Sequence, residues 1–363
     1  MQNSLFEQRL ENLKTVIDSN NQALLITNEK NIGYFCGFFH SEGYLLVTEN
    51  ETVLFVDFRY YEAALKKSSG CRVVCFTKLF KDLISELKNN SVVKVLFEAS
   101  NITVEKYSRF KKAFSESGID CICNSILDDK IDSIRCIKDK SEIAKIAKAQ
   151  EITEKSYLEV LNYLKPGVSE RRIALELEHL IKLNGGEGVS FDLITITGKK
   201  TSLPHGVPSD DIVSEGDFFT FDIGSIFEGY HSDTTRTVAI KSADEEMKKV
   251  YDIVLKAQLA VLDSVKPGAK CSDIDKIARD IISENGYGKY FGHATGHGVG
   301  LDIHESPVVS PKSETVLKKG MIITDEPGIY LPGKFGVRIE DMLCVTDTGY
   351  KNFVSLPKEL IIV

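Results

Sequence analysis

The chain has 363 residues, of which 42% are hydrophobic and 27% are charged, as in folded globular proteins and unlike disordered chains. The formal net charge of -8 disfavours sequence-independent nucleic-acid binding, which needs clustered Lys and Arg to neutralise phosphates. No apolar run approaches the ~20 residues that a transmembrane helix needs. The sequence begins without a basic segment followed by an apolar block, so no secretory signal is expected. We therefore predict that the protein acts on neither nucleic acids nor membranes.

The cysteine spacing restricts the kinds of site that the protein can contain, and the chain length indicates the number of domains. The eight cysteines include no C-x-x-C pair, which argues against zinc ribbons and thioredoxin-type redox sites. Scattered thiols of this kind are typical of a reducing compartment, so a cytoplasmic location is expected. The length is more than twice that of a typical ~150-residue domain, which predicts two domains.

The first part of the chain has the pattern of a small α/β domain. Apolar residues at three- and four-residue spacing predict one amphipathic helix over residues 1–20. Short apolar runs predict strands at 23–26, 44–47 and 52–56, with helical patterns between and after them.

A charged segment separates this part from the rest of the chain. Acidic and basic residues cluster over 128–140 and predict a linker, so we assign one domain to 1–130 and a second to 131–363. A long helix is predicted over 141–164, where Pro166-Gly167 follows and stops it.

The second domain contains a weak internal repeat with an offset of 101 residues. Leu164-Lys165-Pro166-Gly167 recurs as Val265-Lys266-Pro267-Gly268, and Asn184-Gly185 recurs as Asn285-Gly286. Each copy has the pattern of a helix, a Lys-Pro-Gly break, a second helix, an Asn-Gly turn and then strands. We therefore expect duplicated helix-helix-sheet halves related by a pseudo-twofold axis, with a site that takes residues from both halves.

An aspartate pair is predicted in the first half. Asp222 lies inside the strand-like segment 216–227, and the chain returns through Asp233 after a turn near Glu228-Gly229. A hairpin folded about residues 227 and 228 sets Asp222 opposite Asp233, with their Cβ atoms roughly 5 Å apart.

A glutamate pair is predicted in the second half by the same arithmetic. Strands are expected at 321–326 and from Val337 onward, with a turn at Gly333, so that Glu326 faces Glu340. Like charges opposite each other destabilise a sheet, and buried carboxylates are costly without a partner. Two such pairs therefore indicate a shared cation.

A glycine-rich segment carries two histidines. His293 and His297 have the spacing of one helix face, but the four glycines within 292–300 disfavour a helix. An extended segment also places both imidazoles on one side, and the glycines flanking His297 allow close backbone approach.

Four carboxylates and one imidazole suit a pair of divalent cations, whose charge the carboxylates neutralise. Taken singly, an Asp at a strand end or a Glu before Pro is more often a capping or solvated residue, but the paired arrangement favours a metal site. An oxygen-rich donor set with one nitrogen favours manganese, iron(II) or cobalt over a thiolate-type zinc site. Two cations ~3.5–4 Å apart can activate a water molecule and polarise a carbonyl oxygen.

Other polar residues have less specific patterns. His231 shares a face with one of the aspartates and could support a ligand, although a surface position is favoured. His40 and His179 are expected to be structural. Asp325 should point away from Glu326 by strand alternation and either pair with a base or lie exposed.

At these residues the sequence resembles the pita-bread metallopeptidases, a family that contains aminopeptidase P, prolidase, methionine aminopeptidase and the non-metal enzyme creatinase. The motifs of the last 225 residues that carry the resemblance are Pro204-His205-Gly206, Phe221-Asp222-Ile223-Gly224, Ser232-Asp233-Thr234-Thr235-Arg236-Thr237, Gly296-His297-Gly298-Val299-Gly300, His304-Glu305-Ser306-Pro307, Glu326-Pro327-Gly328-Ile329-Tyr330 and Arg338-Ile339-Glu340. Segments 31–38 and 56–60 are similar to the creatinase-type N-terminal domain.

The resemblance implies an α/β (α+β) architecture, in which a smaller creatinase-type N-terminal domain precedes a pita-bread catalytic domain. It also implies that two metal ions are held by Asp222, Asp233, His297, Glu326 and Glu340. Glu326 would in addition take a proton from the attacking water.

The resemblance assigns further roles around these ligands. His205 and His304 would assist proton movement and stabilise the tetrahedral intermediate, and His293 would contact the substrate. Arg338 is assigned to the substrate side of the site with His293. It lies two residues from Glu340 and is expected either to orient a carboxylate ligand or to form a plain salt bridge.

The N-terminal domain favours an Xaa-Pro peptidase over the simple bacterial methionine aminopeptidases, which lack it. We expect hydrolysis of the bond between an N-terminal residue and proline, in dipeptides or short peptides, by a homodimer. Each subunit is expected to use two Mn2+ ions, with Co2+, Fe2+ or Zn2+ as alternatives. Dipeptidase and aminopeptidase activities stay open at this point, as does a methionine aminopeptidase-like activity. The retained ligand positions argue against a creatinase-like amidinohydrolase and against a non-catalytic binding protein.

Overall fold

The protein is represented by a computed structural model that describes residues 2–39 and 42–363; His40 lies outside the described residues. The chain divides into two compact units, Met1–Arg135 and Cys136–Val363. Within the described ranges, no helix combines the length and the apolar character needed to cross a membrane.

The first unit is built on a six-stranded mixed sheet. Its strands, in the order β4-β3-β2-β1-β5-β6 across the sheet, are β1 (Gln22–Ile26), β2 (Tyr44–Val47), β3 (Thr52–Val56), β4 (Arg72–Cys75), β5 (Lys94–Glu98) and β6 (Asp120–Asn124). Its helices are α1 (Gln2–Lys14), α2 (Glu29–Cys36), α3 (Phe58–Lys67), α4 (Leu79–Asn89), α5 (Val104–Ser115) and α6 (Ser125–Arg135). The three strands predicted from the sequence are confirmed.

Two predictions for this unit are wrong. Helix α1 ends at Lys14 instead of residue 20, because the polar side chains that follow bind the backbone locally: Thr15 Oγ1 donates to the Asn12 carbonyl oxygen, and Gln22 Oε1 accepts from the Asp18 N–H. The predicted linker at 128–140 is largely helical, since α6 runs to Arg135. The Asp128 carboxylate accepts hydrogen bonds from the Ala99 and Ser100 N–H groups, which ties this helix to the end of β5.

The second unit contains four long helices in two pairs. They are α7 (Lys140–Val160), α8 (Glu170–Leu183), α9 (Glu245–Ser264) and α10 (Cys271–Glu284). A short 3-10 turn at Leu161–Tyr163 completes the segment predicted as one helix. Asp139 and Glu142 form a reciprocal capping box at the start of α7, which explains where that helix begins.

The strands of the second unit are short and form four sheets. They are β7 (Gly188–Val189), β8 (Ile194–Thr197), β9 (Phe218–Ile223), β10 (Ser225–Phe227), β11 (Tyr230–His231), β12 (Thr234–Ala239), β13 (Gly296–Gly298), β14 (Glu305–Val309), β15 (Ile322–Asp325), β16 (Gly328–Leu331), β17 (Phe335–Arg338), β18 (Asp341–Val345) and β19 (Tyr350–Asn352). A hydrophobic core joins α9 and α10 to the strands of the second half.

The predicted duplication is confirmed. Helices α8 and α10 begin and end at positions that differ by 101 residues, and each follows a Pro-Gly pair whose glycine has a left-handed backbone. Each is also preceded by an isolated bridge to a later segment, Ser169 to Ile212 and Lys270 to Val316.

Candidate metal centre

The aspartate hairpin has a different register from the predicted one. Asp222 pairs with Thr235, and Phe227 pairs with Tyr230, so the hairpin is centred one residue further along than predicted and the partner of Asp222 is shifted by two residues. The turn uses left-handed φ angles of 47° at Glu228 and 77° at Gly229, which fix this centre. A shift of two residues preserves the face of the strand, so Asp233 and Asp222 still point to the same side.

Asp233 lies in a break between β11 and β12. At this point Gly224 approaches the returning chain so closely that a Cβ atom on it would lie 2.0 Å from the Ser232 carbonyl oxygen. The glycine therefore permits the backbone approach that brings Asp233 toward the second half of the unit.

The glutamate hairpin follows the predicted register. Asp325 pairs with Asp341 on one side, and Gly328 pairs with Arg338 on the other, so Glu326 and Glu340 lie opposite each other in the gap between the two ladders. The turn is at Gly333, whose φ is 73°.

His297 is held on the extended strand β13, as the glycine content of this segment predicts. Its backbone N–H donates to Thr324 Oγ1 (3.0 Å), and its Nδ1 donates to the Gly298 carbonyl oxygen (3.1 Å). This leaves Nε2 without a proton, although it faces Asp233 Oδ2 at 3.5 Å and Glu326 Oε1 at 3.3 Å.

One cavity of about 950 Å³ brings the predicted site residues together. It is lined by all nine of them: His205, Asp222, Asp233, His293, His297, His304, Glu326, Arg338 and Glu340. Residues from both duplicated halves therefore contribute to the cavity. His205 and His304 are exposed, and the His304 ring centroid lies 4.3 Å from that of His297.

The carboxylates in this cavity are crowded and buried. Burial and the neighbouring Glu340 and Asp222 raise the pKa of Asp233 well above its usual value. Burial raises the pKa of Glu340 in the same way, and burial raises the pKa of Glu326 to about 8. Burial also lowers the pKa of His297 to about 4, which keeps this imidazole neutral at pH 7. Without a bound cation, the site therefore disfavours the ionised form of these carboxylates.

The donor set fits a divalent cation. Ligand atoms of Asp233, His297 and Glu340 lie within 4.8 Å of one another, and Asp233 Oδ1 is buried without a hydrogen-bond partner. An unprotonated nitrogen and several carboxylate oxygens that face one another repel unless positive charge lies between them. Carboxylates with one imidazole are suitable ligands for such an ion.

A hydrogen-bond network supports these donors. Arg338 donates to Asp222 Oδ2, to Tyr330 Oη (2.7 Å) and to Thr235 Oγ1 (3.0 Å), and Thr235 donates to Glu340 Oε2 (2.7 Å). Arg338 therefore orients Asp222 directly. Its hydrogen bond to Thr235 links it indirectly to Glu340, two residues further along the chain. Ordered contacts of this kind fix the direction of a ligand oxygen.

The same network reaches His293. Its Nδ1 donates to the Ala294 carbonyl oxygen, and its Nε2 accepts from Tyr330 Oη at 2.9 Å. Burial, together with the nearby Arg338, lowers the pKa of His293 to about 4.

Sequence reasoning missed the roles of Tyr330 and Thr235. Thr235 could have been found because it lies two residues from Asp233 on the same face of a strand. Tyr330 carries no such signal, because its partners Arg338 and His293 come from other segments.

Two peripheral expectations are wrong. His231 is buried instead of lying at the surface, because its backbone N–H is bonded to the Gly300 carbonyl oxygen inside the unit. Asp325 is neither exposed nor paired with a base: it is fully buried, it faces Asp341 across the ladder, and both of its oxygens lack a hydrogen-bond partner.

Comparisons with known proteins agree with this arrangement. Residues 144–347 match the metallopeptidase family M24, and residues 9–137 match the creatinase/prolidase N-terminal domain. A Xaa-Pro dipeptidase of Pyrococcus furiosus is 40% identical over 98% of this chain and 100% of its own length.

Solved structures give the same result. A Xaa-Pro dipeptidase from Bacillus anthracis superposes with a TM-score of 0.94 at 38% identity, covering 99% of this chain and 100% of that one. An X-Pro aminopeptidase from Thermotoga maritima gives a TM-score of 0.88 at 34% identity, over 96% of this chain and 100% of that one. These likenesses confirm the predicted α/β architecture, with a creatinase-type N-terminal domain and a C-terminal pita-bread domain. The chain therefore belongs to the metallopeptidase family M24.

Proposed function

We propose that the protein hydrolyses the peptide bond between an N-terminal residue and proline, with divalent cations held by Asp222, Asp233, His297, Glu326 and Glu340. The observation that carries the proposal is the convergence of four carboxylates and one unprotonated imidazole nitrogen in a single cavity. The relatives described as Xaa-Pro dipeptidases and as an X-Pro aminopeptidase support the choice of bond.

Two divalent cations suit this donor set, because their charge balances that of the four carboxylates. Oxygen donors with one imidazole favour manganese, with cobalt, iron(II) or zinc as alternatives. When bound, such cations polarise a carbonyl oxygen and lower the pKa of water, which is the chemistry that amide hydrolysis requires. Arg338 keeps the Asp222 carboxylate aimed into the cavity, and Thr235 does the same for Glu340.

Side chains of the protein supply the remaining steps. His304 is exposed beside His297 and donates a hydrogen bond to the oxyanion that develops on the scissile carbonyl. Glu326 accepts a proton from the attacking water and passes it to the proline nitrogen as that amine leaves. His205 assists proton movement, and His293, whose ring Tyr330 orients, contacts the substrate.

The Glu326→Gln variant tests this proposal. The amide keeps the size of the side chain but cannot accept and return a proton, so we expect kcat for an Xaa-Pro peptide to fall by at least about 100-fold. The measurement is proline release by the manganese-supplemented protein, together with circular dichroism to verify the fold.

Glu314→Gln is the matched control. Glu314 is 84% exposed at its side chain and pairs with the surface residue Lys270, so its replacement should leave kcat unchanged. Near wild-type turnover by Glu326→Gln would refute the assigned role.

Manganese, cobalt and zinc should be compared in the same assay, and the metal content of the purified protein should be measured directly. Stoichiometric divalent metal near two ions per chain supports the proposed centre, and a protein that binds none refutes it. The homodimer and the cytoplasmic location stay predictions, which light scattering and cell fractionation can test.

A further inference from the structure

The two classes of Xaa-Pro substrate differ by one charge beside the scissile bond. In a free dipeptide the proline carries a carboxylate, which must enter the cavity with the bond to be cleaved. In a longer peptide the same position is a neutral amide, which needs only hydrogen bonds. Moving a carboxylate out of water is costly unless a cationic group receives it. The presence or absence of a free cationic side chain in the cavity therefore favours either dipeptides or longer peptides as substrates.

The cavity lining is strongly acidic. Among the described lining residues, six carboxylates stand against two guanidinium groups and no lysine. Four of the acids are the proposed metal ligands, and the other two are Glu178 and Asp192, of which Asp192 is exposed. Two bound dications would leave this lining near neutrality and without surplus positive charge for an incoming anion.

Both guanidinium groups are already engaged. Arg338 is buried and donates to Asp222, Tyr330, Thr235 and the Pro204 carbonyl oxygen. Arg171 is bound through two nitrogens to Asp210, at 2.9 Å and 3.4 Å. Neither arginine presents the open fork that binds a carboxylate through two parallel hydrogen bonds.

The histidines that line the cavity do not provide two parallel hydrogen bonds for a carboxylate either. Both ring nitrogens of His293 have partners, and burial lowers its pKa to about 4, so it carries no charge at pH 7. The two nitrogens of an imidazole ring point in different directions, so neither His205 nor His304 can direct two parallel N–H groups at one carboxylate.

The cavity also has room beyond a dipeptide. Its volume of about 950 Å³ lies at the upper end of the range of ~300–1,000 Å³ for small-molecule sites. Its lining continues past the proposed ligands to apolar side chains that stay open to solvent: Leu175 is 59% exposed, Val207 76% and Val308 49%. Such surface can receive further residues of a peptide.

From these observations we propose that the protein acts preferentially on peptides of three or more residues that begin with Xaa-Pro, and discriminates against free Xaa-Pro dipeptides. This inference rests on the proposed Xaa-Pro hydrolysis and specifies its substrate class. The likeness to known proteins leaves the choice open, because the similar proteins include both dipeptidases and an aminopeptidase.

Three substrates test the proposal with the manganese-loaded wild-type protein: Ala-Pro, Ala-Pro amide and Ala-Pro-Ala. Ala-Pro amide has the size of the dipeptide but lacks the carboxylate charge, so it separates charge from length. We expect kcat/KM for the amide and for the tripeptide to exceed that for Ala-Pro by at least about 10-fold. The same series built on Gly-Pro should give the same order.

The outcomes are distinct. If Ala-Pro is cleaved as well as its amide or better, a carboxylate partner exists and the proposal is overturned, while the proposed Xaa-Pro hydrolysis stands. If none of the three substrates is cleaved although metal is bound, the proposed function fails and the substrate preference fails with it.

Discussion

At the scale of single residues, the candidate ligands hold protons where a cation would otherwise bind. The pKa of Glu326 is raised to about 8 by burial, and burial together with neighbouring carboxylates raises those of Asp233 and Glu340. In the unfolded chain these groups ionise near pH 4. Between that pH and the folded-state pKa the folded protein binds more protons than the unfolded one, so stability falls as pH rises.

We therefore predict that the metal-free protein loses stability between pH 7 and pH 8, above the range in which the lowered pKa values of His293 and His297 make stability rise with pH. Each unit of pKa difference corresponds to about 1.4 kcal/mol of unfolding free energy. Urea unfolding after treatment with a chelator, at several pH values from 7 to 8, measures the loss. Added Mn2+ should reduce it, because the cation replaces the protons. A metal-free protein that becomes more stable over this range would contradict the assigned pKa shifts.

A buried ion pair next to His304 allows a second prediction at this scale. Lys138 Nζ lies 2.6 Å from Glu305 Oε1, and their side chains are only 1% and 10% exposed. Replacing Lys138 with Met leaves the Glu305 carboxylate buried without its ammonium partner, so we expect a loss of about 3 kcal/mol. The unfolding free energy from urea titration gives the value.

The matched control is Lys319→Met. Lys319 pairs with Asp347 at the surface, where the side chains are 65% and 74% exposed, so its replacement should change the unfolding free energy by less than about 0.5 kcal/mol. Equal losses of unfolding free energy in the two variants would contradict the stabilising role assigned to the buried Lys138–Glu305 ion pair.

At the scale of elements, the duplicated helices begin where a glycine turns the chain. Gly268 precedes α10 with a φ of 88°, and no atom lies within 4 Å of the position that a Cβ would take. Gly268→Ala should therefore cost about 1 kcal/mol through backbone strain alone. Thermal unfolding of the variant measures the effect, and Gly167→Ala before α8 should behave in the same way because its φ is 92°.

Gly349 provides the comparison for these variants. The position that a Cβ would take on this residue is also free of atoms within 4 Å, but its backbone is not left-handed. Gly349→Ala should leave the stability unchanged or raise it slightly, since alanine reduces the entropy of the unfolded chain. A loss in Gly349→Ala as large as that in Gly268→Ala would refute the strain argument.

At the scale of the whole molecule, every candidate ligand belongs to one of the two compact units. The ligands lie in Cys136–Val363, and none lies in Met1–Arg135. Ligand binding stabilises the part of a protein that it holds together. We therefore predict that Mn2+ slows amide hydrogen exchange in β9, β12, β13 and β15, while exchange in β1, β2, β3 and β5 stays the same. Mass spectrometry of peptides from both units checks this, and protection by Mn2+ in the first unit would contradict it.

Local patterns in the sequence determined the duplicated helices and the register of the glutamate hairpin. Helix periodicity and the Lys-Pro-Gly breaks predicted the duplicated helices, and the turn at Gly333 set Glu326 opposite Glu340. These features follow from side-chain period and turn chemistry within one segment, so neighbouring residues are enough to predict them.

Tertiary structure alone decided the rest. The turn at Glu228-Gly229 moved the register of Asp222, and the Tyr330–His293 contact joins the β16–β17 hairpin to a loop residue 37 positions earlier in the chain. Burial, and with it the raised pKa of Glu326, depends on how both duplicated halves pack around one cavity. No single segment contains that information, because desolvation and hydrogen-bond partners are properties of the assembled core.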